Sequence, residues 1–333
     1  MHQKFGVESH LVTMYRNTLS FDEDICLNLP IYTSKSAFKW RDSKIDKSSP
    51  DKIKYYKPKN FVESAYFKFR DLKNKNIIDD CIKKYNLENY DIIHFDGGMD
   101  FYRNVSFASH LKNIGKKIVC CYFGSDLRTR GIFQKLDDIC DMNLTVEFDH
   151  LNIYPGINYI FFPFDIEKYP YKINANKKLT IIHSPTNRFF KGTEKILNVI
   201  GEVRKEIDIH FILAENIDRV ELLKIKSECD LAIDQVGGSF GGSGYGKNSI
   251  ENLAMCIPTI TEFTTDYLNF LQDNPFIPAT IDELKTKILE LNNNREQLKT
   301  LAIKGREWVE KFHSFSSVNE KLNNLYKKYS IIL

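Results

Sequence analysis

Two cations, one helix carboxylate and a run of glycines are the residues of this chain best suited to hold a phosphate-bearing ligand. Residues 229–263 read CDLAIDQVGGSFGGSGYGKNSIENLAMCIPTITEF. A glycine-rich loop from Gly237 to Gly246 runs into a helix whose Ile250, Leu253, Ala254 and Ile257 recur at helical spacing. Asn248 or Ser249 is placed to cap that helix, so its first-turn amides would face the loop. Flexible backbone leading into free amides suits an anionic phosphate, and Lys247 adds charge to the helix dipole there. The competing reading is a plain connector, with Glu251 closing a capping box three residues after Asn248.

A second motif, HSPTNRFFKGTEKI at 183–196, places Arg188 and Lys191 just past a strand end. Two cations there can hold a pyrophosphate by charge-assisted hydrogen bonds and neutralise charge as a bond to it breaks. Taken alone, both are equally ordinary surface residues at a helix start. A third motif, GSDLRTRG at 124–131, offers Asp126 to a hydroxyl and Arg128 or Arg130 to a phosphate, or else forms only an Asx-type turn. Asp96, Gly97 and Gly98 follow the strand DIIHF at what would be a sheet's carboxyl edge. His94 within that strand reads as a hydrogen-bonded structural residue, and Asp230 and Asp234 read as structural too.

The elements that must position these groups alternate. After helices at 61–72 and 77–85, strands YDIIHF, KKIVCCYF, MNLTVEF and NYIFFPF are separated by helical stretches. The segment at 162–179 has no periodicity and reads as an interdomain linker. Strands LTIIHS, DIHFILA, DLAI and ITEF then alternate with helices, and three helices at 281–292, 295–312 and 317–330 close the chain. Strands alternating with helices imply doubly wound parallel sheets, with ligands beyond the strands' carboxyl ends.

Composition narrows the classes. With 333 residues, 42% hydrophobic and 27% charged, the chain has room for two globular domains. A net charge of +3 gives no reason to expect a nucleic-acid partner. Seven cysteines without CxxC spacing read as reduced thiols in a cytoplasmic protein, and no metal-ligand spacing is present. No signal-peptide run and no membrane-spanning run occurs. Residues 34–60 carry nine Lys and Arg against three Asp, with aromatics interleaved. That segment is a solvated loop or a peripheral contact with anionic lipid at the inner face of the cell membrane.

The segment GYGKNSIENLAMCIPTI resembles the donor-binding segment of GT-B glycosyltransferases, the large retaining family that uses nucleotide-sugar donors. The resemblance implies two Rossmann-like α/β domains facing a cleft: an acceptor-side domain at 1–164, a donor domain at 165–315 and a C-terminal helix at 316–333 crossing back. It implies transfer of a sugar from a nucleotide diphosphate sugar to a glycan or lipid-linked hydroxyl, with retention and without a metal or other cofactor. Carried over residue by residue, Glu251 would hold the donor ribose, and Ser243, Gly244, Tyr245, Gly246, Lys247 and Asn248 would line the donor. Lys191 and Arg188 would hold the pyrophosphate, although Arg188 stands three residues before the lysine where the family usually has five. Lys191, Arg188 and Asp126 are the expected catalytic residues, and Asp96, Gly97, Gly98 and Arg128 are expected on the acceptor side. Ser243 stands where the family has a glutamate, and Phe123 where it has a histidine. The N-terminal sheet is expected to lack its usual first strand. These departures leave open a second expectation, a nucleotide-sugar-binding protein with weakened or no catalysis.

Overall fold

The computed structural model describes residues 1–16, 23–30, 53–124, 126–238 and 244–332. Contacts divide the chain into two units, one of residues 1–160 with 321–333 and one of residues 161–320.

In the first unit a short 3-10 turn, His2–Phe5, ends at Gly6 in the left-handed region, and strands β1 (Val12–Thr13) and β2 (Ile25–Cys26) pair in parallel. The helix Phe61–Lys84 is continuous, where the sequence suggested two pieces. The polar KNKN stretch contains no Gly or Pro to break it, and Asn74 within it is buried. Asn60 caps the helix by accepting the Glu63 N–H at 2.9 Å. Phe67, Ile78 and Ile82 face inward, while Phe61, Val62, Phe69 and Leu72 face solvent. Strands β3 (Ile92–Asp96), β4 (Lys117–Tyr122), β5 (Met142–Thr145) and β6 (Asn158–Tyr159) form a parallel sheet in that order. β4 carries the run Ile118, Val119, Cys120, Cys121 and Tyr122, all buried, as a strand covered on both faces must. The GSDLRTRG stretch, expected as a loop, contains a single π-turn, Asp126–Arg130.

The second unit holds five parallel strands in the order β11-β10-β9-β7-β8: β7 (Leu179–His183), β8 (Ile209–Leu213), β9 (Leu231–Ile233), β10 (Thr259–Thr261) and β11 (Ile277–Pro278). Every residue of β7 and β9 is buried. The chain winds from β7 outward to β8, then returns to place β9 on the other side of β7. The order therefore reverses between β7 and β9, the place beyond the carboxyl ends where such sheets bind their ligands. The Lys247–Ala254 helix connects β9 to β10 and buries Ile250, Leu253 and Ala254. The helix Thr265–Phe270 and the edge strand β11 lacked any signal in the sequence; both are short, and β11 has only two paired residues.

Candidate functional site

The switch point gathers the strongest of the sequence motifs. Beyond β7, Asn187 caps the short helix Arg188–Lys191, which stops at Gly192 with φ +70°. A Cβ on Gly192 would sit 2.0 Å from the Val236 carbonyl oxygen, and one on Gly238 would sit 2.1 Å from the Phe190 carbonyl oxygen. The turns after β7 and β9 thus pack backbone against backbone, which only glycine at these two positions permits.

That approach carries Lys191 to Asp234. The Lys191 amine lies 2.7 Å from Asp234 Oδ1, and the same oxygen accepts from Asn248 Nδ2 at 3.0 Å. Asp234 Oδ2 accepts from the Ser249 hydroxyl at 2.5 Å. Burial works to raise the Asp234 carboxyl, but Lys191 and these hydrogen bonds outweigh it and hold it down to about 2. The group is an anion at any working pH.

A second carboxylate sits on the same helix. Glu251 Oε1 accepts from Arg219 Nη2 at 2.6 Å, and Oε2 lies 3.2 Å from the Lys226 amine. Burial again works upward, and Lys226 with Arg219 prevails, so Glu251 is ionised. Lys226 is fully buried and also donates to Asn248 Oδ1 at 2.7 Å, an oxygen that accepts the Ser184 hydroxyl at 3.0 Å as well. Tyr169 closes the far end, its hydroxyl 2.5 Å from Arg219 Nη2. One network therefore runs from Lys191 through Asp234, Asn248 and Lys226 to Glu251 and Arg219.

The helix start differs from expectation. Gly246, not Asn248 or Ser249, is the N-cap, in extended backbone and without a side-chain cap. Asn248 and Ser249 turn inward to the network, and Glu251 lies two positions too far along to box a cap at Gly246. Lys247 is the exposed first residue of the helix. Gly244 is buried, and a Cβ there would strike the Phe263 ring at 2.4 Å. Tyr245 anchors the loop rather than opening it: its ring stacks 4.8 Å from Phe276, and its hydroxyl lies 3.0 Å from His313 Nε2. Ser243 lies outside the described residues.

Arg188 does not share the Lys191 network. Its guanidinium pairs with Glu194 at 2.7 Å and Glu215 at 2.5 Å on the surface. His183 is buried, held between the Ile233 carbonyl at 2.9 Å and the Thr193 hydroxyl at 2.8 Å, and burial lowers its basicity. No cluster of His, Cys, Asp or Glu able to hold a metal occurs among the described residues.

In the first unit Asp96 ends β3, and Gly97 and Gly98 follow at φ +67° and +58°. A Cβ on Gly98 would meet the Tyr122 ring at 2.5 Å, so the turn lies flat on β4. Asp126 accepts the backbone N–H groups of Phe123 at 2.9 Å and Leu127 at 2.7 Å, three residues before it and one after, rather than the amide two residues on that an Asx-type turn uses. Arg128 is committed to Asp149 and Glu147, each at 2.6 Å. His94 donates to or accepts from the Tyr326 hydroxyl at 2.6 Å, a structural bond.

Sequence reasoning missed Arg219, Lys226, Tyr169 and Ser184. Lys226 left one trace: it falls four residues after Leu222 and three after Leu223, on the apolar side of its helix. A lysine at such a place must find an anion.

No protein-family model matches the chain. Among curated proteins it is 33% identical over 127 residues to an uncharacterised glycosyltransferase of Methanocaldococcus jannaschii, a stretch spanning 34% of each chain. Among solved structures it is similar to a glycosyltransferase from Rickettsia africae ESF-5, with TM-score 0.53, 16% identity, and 83% and 84% of the two chains covered. It is likewise similar to the accessory secretory protein 1, 2 and 3 structure of Streptococcus pneumoniae, with TM-score 0.53, 12% identity, and 77% and 56% covered. The chain thus has the GT-B fold of two Rossmann-like α/β units, and matches about a third of its curated relative's length.

Proposed function

We propose that this chain is a glycosyltransferase that moves a sugar from a nucleotide diphosphate sugar to a hydroxyl of a glycan or lipid-linked acceptor, with retention at the anomeric carbon. The observation that carries the reading is the Lys191 amine fixed 2.7 Å from the buried Asp234, at the strand-order reversal and beside the start of the Lys247–Ala254 helix. A cation held in place without reorganisation is what a departing pyrophosphate needs. The first-turn amides of the helix and Lys247 supply further positive potential, so no metal is called for. Glu251, ionised and oriented by Lys226 and Arg219, is the acceptor for the ribose hydroxyls. The second unit takes the donor and the first unit takes the acceptor, at the Asp96–Gly98 turn.

A second reading, donor binding without transfer, is favoured by one observation. Arg188, the other cation of the motif, is neutralised by two carboxylates on the surface, which leaves Lys191 as the cation of the pair held by a buried carboxylate.

The reading extends to location. No helix among the described residues is long and apolar enough to cross a membrane. The basic segment 34–60 lies largely outside the described residues, but the helix that follows it exposes Phe61, Val62, Phe69 and Leu72 beside Lys68, Lys73 and Lys75. That combination supports a cytoplasmic protein resting on an anionic membrane.

The test is a thermal-shift screen against UDP-, GDP- and ADP-sugars, followed by a transfer and hydrolysis assay with the sugar that binds. Stabilisation by one nucleotide sugar with turnover supports the first reading. Stabilisation without turnover leaves the second, and no stabilisation by any of the three removes both.

A further inference from the structure

The first unit gathers three arginines around one aromatic cluster, apart from the donor network. The segment before the Phe61–Lys84 helix is pinned to residues 131–132: the Tyr56 N–H donates to the Ile132 carbonyl at 2.7 Å, and the Ile132 N–H to the Lys54 carbonyl at 2.9 Å. Gly131, at φ +83°, allows it, since a Cβ there would lie 2.2 Å from the Lys54 oxygen. The Tyr56 ring comes to 4.7 Å from Phe133. Together with Phe67, these rings enclose the Arg103 guanidinium, whose Cζ lies 4.2 Å from the Phe67 centroid, 5.1 Å from Phe133 and 5.3 Å from Tyr56. Arg70 shares the Phe67 ring at 5.2 Å, and Arg130 shares Phe133 at 5.1 Å.

The three cations are compensated unequally. Arg70 is paired with Asp71, whose other oxygen accepts the Arg103 backbone N–H at 2.7 Å. Arg130 directs its N–H groups to the carbonyls of Gly131 and Gly97. Arg103 Nε and Nη1 are buried without a hydrogen-bond partner. Among the described residues no carboxylate forms an ion pair with Arg103 or Arg130. Aromatic faces attract a guanidinium, but they satisfy neither its N–H groups nor its charge. Burial and the nearby Arg70 push Arg103 down to about 10, which leaves it a cation at neutral pH. Such a group, with two of its nitrogens left unpartnered and only Asp71 offsetting part of its charge, marks a place for an anion.

We infer that Arg103 and Arg130 form an anion subsite in the first unit, which takes the phosphate of a phosphorylated acceptor. The Arg130 bond to the Gly97 carbonyl ties this subsite to the turn after β3, at the carboxyl edge of the sheet. A phosphate held there would fix the acceptor beside Asp96, whose carboxylate can accept a hydroxyl proton. The inference rests on the proposed acceptor role of this unit. The phosphate can belong to a soluble sugar phosphate or to a lipid headgroup; the chemistry at the arginines is the same.

The experiment uses the full chain carrying Lys191→Ala, which removes the donor-side cation. Melting temperature is followed while inorganic phosphate, a hexose 1-phosphate, or vesicles of phosphatidylglycerol are added, with phosphatidylcholine vesicles as control. We expect stabilisation by at least one phosphate source, weakened about tenfold or more in apparent affinity by Arg103→Met and by Arg130→Gln, and partly retained by Arg103→Lys. A response to the soluble phosphates names a soluble acceptor; a response to phosphatidylglycerol alone names a lipid one. The inference is overturned if no source stabilises the protein, or if the Arg130→Gln variant, which keeps the aromatic cage intact, responds as its parent does. Nucleotide-sugar stabilisation of Arg130→Gln with Lys191 restored is read separately. Its loss counts against the donor reading rather than this one.

Discussion

Lys226 and Glu251 form an ion pair in which the lysine is wholly buried and the carboxylate nearly so, with the amine 3.2 Å from Oε2. The pair lies on two neighbouring helices and orients the one helix carboxylate that faces the donor in our reading. Removing one partner leaves the other as a buried charge, which costs about 3–5 kcal/mol. Glu251→Ala should therefore lower stability as well as nucleotide-sugar affinity. Lys226→Met should restore part of that stability when combined with Glu251→Gln. Chemical denaturation of the single and double variants checks the coupling; additive losses would contradict it.

Lys191→Ala separates chemistry from binding. Charge on the leaving pyrophosphate grows as the bond breaks, so this lysine should contribute more in the transition state than in the ground state. Loss of one such donor costs roughly 10²–10³-fold in rate. Donor affinity by calorimetry should stay within a few-fold of the parent while turnover falls far. A large loss of affinity with unchanged turnover would assign Lys191 to ground-state binding.

Gly192→Ala should damage the same site through the backbone. Left-handed backbone alone costs about 1–2 kcal/mol for a residue with a Cβ, and the added atom would meet the Val236 carbonyl at 2.0 Å. The turns after β7 and β9 must then separate, which moves Lys191 from Asp234. Reduced stability with intact donor response would show that the close approach serves folding only.

His313 gives the second unit an acid-sensitive anchor. Its Nδ1–H donates to the Phe162 carbonyl at 2.8 Å, and Nε2 is left to accept from Tyr245. Burial lowers its pKa from 6.5 to about 4. The folded state then binds fewer protons than the unfolded state between these values, so stability falls as pH drops from 6.5 toward 4. His313 should account for about 2 kcal/mol of the stability lost between about pH 7.5 and pH 5, a range over which buried His94, also lowered to about 4, acts in the same sense. Urea denaturation at the two values checks it, and His313→Gln should remove that share and leave a dependence from His94.

The exposed face of the Phe61–Lys84 helix makes a claim on a membrane. The protein should co-sediment with vesicles rich in acidic lipid and be released as salt is raised. Phe69→Asp with Leu72→Asp should abolish sedimentation without unfolding the helix, because both side chains face solvent. Equal sedimentation with neutral vesicles would argue against charge-assisted contact.

The β/α rhythm was legible because buried parallel strands leave unbroken apolar runs such as IIHF and IVCCY, whereas the two-residue strand β11 leaves none. Lys191 and Glu251 could be picked out because they stand beside glycines in a recognisable order. Asp234, read as merely structural, turned out to fix Lys191; Arg219 left no local motif, and Lys226 left only its place on the apolar side of its helix. Pairings across 22 to 43 residues of sequence, such as Lys226 with Asn248 and Lys191 with Asp234, are made by sheet order, which spacing along the chain does not encode. The helix cap was misplaced for a related reason: Asn248 and Ser249 are good caps, yet buried Asp234 and Lys226 compete for their side chains and win.

Gly305, in the helix Arg295–His313, would bring a Cβ to 2.9 Å from Leu253, on the helix that starts at Lys247. One residue on, Arg306 donates to the Ala254 carbonyl at 2.6 Å, at that helix's other end. The two helices therefore behave as a rod and its seat. A bulkier side chain at position 305 would tilt the rod and displace its tip, where the loop meets Gly246. In a selection for altered donor preference, substitutions at this remote glycine should surface alongside those in the crevice, though they touch no ligand.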